Sequence, residues 1–194
     1  MIYIVSDDSF FIYGLARSRC FQMKGKNDSF NFGGKVFFIN LNLPLLLDFK
    51  PEKNDVVVLS IENDLSRYYF LNRLRTKDCK IVILTDLVIS KSLSKTFMPI
   101  LSKRIGIEKF VHVLKMIKNT PFKTTKKKIS SKVFNIFDRQ AKGLTIQDDL
   151  GLEKLTTKQI YSVTDRFCRL YGLKKTNGKK IIICRDILLT QQAE

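Results

Sequence analysis

The first 118 residues alternate between short apolar runs and longer amphipathic stretches, and this limits the available folds more than any other feature. The clearest run is Val56-Val57-Val58-Leu59, which ends at Ser60 before a polar, acidic loop. Four unbroken apolar residues, rich in β-branching, suit a strand buried on both faces. Comparable runs are "IYIV" at the start, "KVFFINL", "KIVILT" and the shorter "MPILSK". Between them lie stretches with helical spacing: residues 9–23, a short helix begun by Pro44, "LSRYYFLNRLRT", a weaker stretch over residues 89–97, and "GIEKFVHVLKMIK". Strand followed by helix, five times over, predicts an α/β domain with a doubly wound, five-stranded parallel sheet. Ligands of such sheets gather outside the carboxyl ends of the strands. Ser6, Asp7 and Asp8, Ser60, Thr85 and Lys103 all stand at predicted strand ends.

After residue 118 the pattern changes. Residues 119–128, "NTPFKTTKKK", have no apolar period and read as a basic linker. Lys126, Lys127 and Lys128 are either solvated charge or phosphate contacts. Residues 129–194 read as helices only, over 130–142, 145–153, 156–171 and 179–190. Gly143, Gly172 and Gly178 punctuate them, and Ser130, Thr145 and Thr156 suit N-caps. In the third helix Ile160, Val163, Phe167 and Leu170 form the predicted inward stripe. Lys158, Gln159, Ser162, Asp165, Arg166 and Arg169 then take the polar positions.

The formal net charge of +17 exceeds what solubility requires and points to an anionic partner, nucleic acid first and an anionic membrane surface second. From residue 119 onward there are 16 Lys and Arg against 7 Asp and Glu, and before it 19 against 11. No apolar run approaches a membrane span, and the start lacks the pattern of a signal peptide. A cytoplasmic protein is therefore expected, with nucleic acid rather than a membrane taken as its partner. Cys20, Cys79, Cys168 and Cys184 lie far apart without zinc spacing, so no metal and no disulfide is expected. His112, the single histidine, sits in an apolar helical context and is expected to pack rather than catalyse.

Residues 129–173, "ISSKVFNIFDRQAKGLTIQDDLGLEKLTTKQIYSVTDRFCRLYGL", resemble the LuxR/FixJ-type (NarL-like) DNA-binding domain without a gap. Ile129 and Ser130 match the family's opening, with Lys132 in place of its arginine. Gly143, Leu144 and Thr145 match its Gly-Leu-Ser. "LTTKQI" matches the start of its recognition helix and "LYGL" its close. The family's Glu-Ile-Ala falls on Asp148, Asp149 and Leu150, and its recognition-helix histidine on Val163. The resemblance implies an all-α helix-turn-helix domain that binds double-stranded promoter DNA. Its DNA-facing residues would be Lys132, Thr156, Lys158, Gln159, Ser162, Arg166 and Arg169, joined by Lys126, Lys127 and Lys128. Gln159 could read adenine and Lys158 guanine in the major groove, with Arg166 and Arg169 on phosphates.

With that domain named, residues 1–118 are similar to the receiver domain of response regulators. "IVSDDSFFIYGL" looks like its first strand and helix, and the two metal-holding acids fall on Ser6 and Asp7, with Asp8 displaced by one. "DVVVLSIEN" matches its third strand, which places Ser60 at the phosphoryl-accepting aspartate. Thr85 and Lys103 match its conserved hydroxyl and lysine. A serine without an adjacent base is a poor nucleophile for phosphoryl transfer. The expectation is a degenerate receiver-like domain with no cofactor and no catalytic residue, in a bacterial regulator that works without phosphorylation. It would act as a homodimer or as a heterodimer with another LuxR-type regulator, and the resemblance implies targets such as fimbriae, capsule or virulence genes. The rivals are a phosphorylatable response regulator and an auxiliary module that binds another regulator.

Overall fold

A computed structural model describes residues 1–21, 35–43, 49–89, 100–120, 130–144, 156–173 and 178–191. The chain forms two compact units, Met1–Asp86 with Pro99–Thr124, and Leu87–Met98 with Thr125–Glu194.

The first unit holds a five-stranded, all-parallel sheet in the order β2-β1-β3-β4-β5. The strands are β1 (Ile2–Ser6), β2 (Val36–Asn40), β3 (Val56–Ser60), β4 (Lys80–Thr85) and β5 (Ile100–Ser102). Every residue of β1, β3 and β4 is buried, as two covered faces require. Each Val or Leu removed from water there contributes about 1.5–3 kcal/mol. The described helices are α1 (Ser9–Arg17), α2 (Asp64–Arg75) and α3 (Ile107–Asn119).

Adjacent residues of β2 show which helix covers which face. Phe37 stacks on Tyr3, whose ring meets Phe49, which in turn meets Phe70 of α2. Phe38 meets Phe21, which packs on Phe110 of α3. Successive strand side chains point to opposite faces, so α2 and α3 cover opposite sides of the sheet. Lys80 opens β4 yet is only 4% exposed. Its Nζ donates to the carbonyls of Ile117, Lys118 and Thr120 at 2.9, 2.9 and 2.6 Å. These are carbonyls that the end of α3 leaves without helical partners, and a cation there also suits the helix dipole.

The described helices of the second unit are α4 (Ser131–Ala141), α5 (Thr157–Leu170) and α6 (Lys179–Gln191). Gly143 and Gly172 end α4 and α5 with φ of 82° and 67°, a backbone region open to glycine without strain. At each end two bonds run back into the helix, Leu144 to Arg139 with Gly143 to Gln140, and Leu173 to Cys168 with Gly172 to Arg169. This is the Schellman arrangement, and it satisfies carbonyls that the last turn would otherwise leave open.

Several expectations change. The helix expected over residues 9–23 ends at Arg17, where Ser18 turns extended. Ile89, expected to begin a helix, instead forms an antiparallel bridge with Leu173, and residues 87–89 group with the second unit. His112 is exposed on α3 rather than packed. The helices expected from Pro44 and over residues 145–153, the Thr145 cap and the linker lysines lie outside the described residues. Among the described residues, no helix is long and apolar enough to cross a membrane.

Candidate functional site

Strands β1 and β3 are neighbours whose following connections leave toward opposite edges of the sheet, which opens a crevice at their carboxyl ends. Ser6 and Ser60 pair in register there, both fully buried. The Ser6 hydroxyl donates to the Ser60 carbonyl at 2.7 Å and accepts the Asp8 amide at 3.0 Å. Ser60 Oγ is buried with no hydrogen-bond partner.

The acids at this end are occupied by the protein itself. Asp8 caps α1, accepting the Phe11 amide at 3.0 Å. Asp7 accepts the Glu62 amide at 3.0 and 2.9 Å and the Asn63 amide at 3.0 Å. Lys103 lies just beyond β5, its amide bonded to the Thr85 carbonyl at 2.8 Å. Its ammonium pairs with Glu62 at 2.8 Å and lies 5.9 Å from the centre of the Phe11 ring. Thr85 itself is buried. The carboxylate that Lys103 meets therefore comes from the loop after β3, two residues past Ser60. An open pocket of about 440 Å³ lies beside these groups, bordered by Asp7, Asp8, Asn42 and Glu62. Among the described residues, no group of three His, Cys, Asp or Glu side chains could hold a metal ion.

The second unit presents a different surface. Helix α5 opens with a capping box: Thr156 Oγ1 accepts the Gln159 amide at 3.3 Å, and Gln159 Oε1 accepts the Thr156 amide at 2.7 Å. Gln159, expected on the base-reading face, thus has its side-chain carbonyl folded back on the helix start. The buried stripe is Ile160, Thr164 and Cys168. Ile160 and Phe167 of the expected stripe do pack inward, Phe167 half-buried with its ring on the buried Phe137 of α4. Val163, by contrast, is half-buried and Leu170 is 55% exposed, so the stripe is rotated toward the i, i+4 row. Thr164 tolerates burial because its hydroxyl donates to the Ile160 carbonyl at 2.9 Å.

Lys158, Ser162, Arg166 and Arg169 are exposed on α5, and Lys132 is exposed in the first turn of α4. Arg169 forms an ion pair with Asp165 one turn earlier, and this hydrogen bond raises the guanidinium above its ordinary value. Tyr161, absent from the expected set, is 61% exposed between Lys158 and Ser162. A tyrosine three positions after Lys158, and so on the same helical face, was the signal for it. Ser130 stands at the N-cap of α4 without a side-chain bond. No protein-family model, curated protein or solved structure matches the chain.

Proposed function

We propose that the chain is a DNA-binding transcription regulator of the LuxR helix-turn-helix type, with a receiver-like first unit that works without phosphorylation. The observation that carries this reading is the free face of α5. Its start is boxed by Thr156 and Gln159, and its first turns offer Lys158, Tyr161 and Ser162 to solvent, with Arg166 beyond. A helix of this kind can enter a major groove by its N-terminal residues while later basic residues meet phosphates. The charge of +17 supports a polyanionic partner.

The strand order supports the receiver-like reading, because it is the flavodoxin-like doubly wound order. Ser60 in place of a carboxylate, Asp7 spent on backbone amides and Lys103 on Glu62 support the absence of phosphoryl transfer. In this reading the protein is cytoplasmic, catalyses nothing and needs no cofactor. It binds double-stranded promoter DNA as a homodimer or with a second LuxR-type regulator, and fimbrial, capsule or virulence genes are the range of targets that the resemblance implies.

Duplex binding measured with and without beryllofluoride and Mg²⁺ tests both halves of the reading. Salt-sensitive binding that is the same in both conditions is expected. No binding to any duplex overturns the DNA reading. A clear gain in affinity with beryllofluoride overturns the phosphorylation-free one.

A further inference from the structure

Cys168 and Cys184 are far apart in sequence, yet α5 and α6 bring their sulfurs to 3.9 Å. Both are free thiols, with Cys168 only 4% exposed and Cys184 fully buried. Thiol pairs at this distance on two packed helices need a closing movement of about 2 Å to reach bonding distance. Both residues lie within the second unit, at the last turn of α5 and the middle of α6.

The two sulfurs are not equivalent. The hydrogen bond from Cys184 lowers the Cys168 thiol to about 7, with burial opposing and Lys180 assisting. Cys184 is pushed up by holding that proton and by burial. Among the described residues, Lys180 and Asp186 on α6 and Asp165 on α5 act on the pair through their charge. Thiolates are the form that reacts with peroxides, and the neighbouring Cys184 favours that form at Cys168.

We propose that Cys168 and Cys184 are a redox modification site, closed to an intramolecular disulfide by a small hydroperoxide and reopened by a dithiol. The Cys168 thiolate attacks one peroxide oxygen, the O–O bond breaks, and hydroxide or alkoxide leaves, giving a sulfenic acid at Cys168. The Cys184 sulfur then displaces that oxygen, its proton leaving with it as water. Two thiols lose two electrons and the peroxide takes them up. Burial confines the chemistry to oxidants small enough to reach Cys168. The resulting bond ties α5 to α6, and the site stands independently of the DNA-binding reading.

The test treats the full-length protein with hydrogen peroxide and maps its thiols by mass spectrometry after non-reducing digestion. A single linkage between the Cys168 and Cys184 peptides is expected, with Cys79 retained as a thiol and the linkage reversed by dithiothreitol. Its rate should rise as pH passes through about 7. In Cys184→Ser, peroxide treatment followed by unfolding in the presence of dimedone should trap a sulfenic acid at Cys168. Recovery of both residues as thiols while half-exposed Cys20 oxidises overturns the proposal. So does a linkage joining two chains through Cys20. The mapping needs only the parent protein, so it decides the matter even if the serine variant fails to fold.

Discussion

Tyr171 carries a prediction that belongs to a single side chain. It lies at the end of α5, buried, with its hydroxyl donating to Gln191 Oε1 at 3.0 Å. Burial raises its phenol above the ordinary value of 10.0, and Cys184 adds to this. A raised value in the folded state means stability that is complete below the unfolded value and lost as pH rises through the folded one. Tyr171→Phe should therefore flatten the alkaline loss of stability above about pH 10 in denaturant titrations, and lower stability by about 1 kcal/mol at neutral pH. An unchanged alkaline decline would assign it to Tyr3, whose phenol is raised by burial and by Asp55 and Glu52. At this scale the sequence reveals positions better than partners. Ser6 and Ser60 are legible as strand ends because at each the apolar run gives way to polar residues. That Lys103 turns to Glu62 is not legible, since an ion pair 41 residues apart depends on where two loops meet.

Helix α5 shows how far spacing alone can go. Ile160 is legible as core from any helical period. The choice between Val163 and Thr164 turns on a small rotation, and apolarity alone favours Val163, where the structure buries Thr164. A threonine that bonds to its own helix backbone removes the penalty that apolarity assumes. The Gln159 cap was written in the sequence, since Thr-x-x-Gln is the capping-box spacing. Gln159→Ala should cost about 0.5–2 kcal/mol of stability by losing the reciprocal bond, read from thermal or denaturant melting. Lys158→Ala should leave folding intact and cost about 1–3 kcal/mol on a preferred duplex, with little effect on random DNA. If Lys158→Ala weakens both duplexes equally, that lysine holds backbone rather than reads bases.

Across the whole molecule, charge and connectivity set the outcome. Log affinity for DNA should fall with log salt by about 0.9 for each phosphate neutralised. Replacing Lys126, Lys127 and Lys128 together with alanine should flatten that slope and weaken all duplexes alike. An unchanged slope leaves these lysines as solvated charge. The parallel sheet was legible because five apolar runs admit few alternatives. The grouping of residues 87–89 with the later helices was not, because nothing in a short segment's composition names the body it joins. Yet that bridge from Ile89 to Leu173 decides where the protein can be cut. A fragment beginning at the linker carries α4, α5 and α6 but leaves behind a piece of their own unit. Its melting temperature should fall below that of the same unit in the intact chain, followed by tyrosine fluorescence. Equal melting would make the bridge dispensable. Otherwise the later unit is not a detachable cassette. An exchange between relatives at the basic linker would inherit one parent's helices and the other parent's edge.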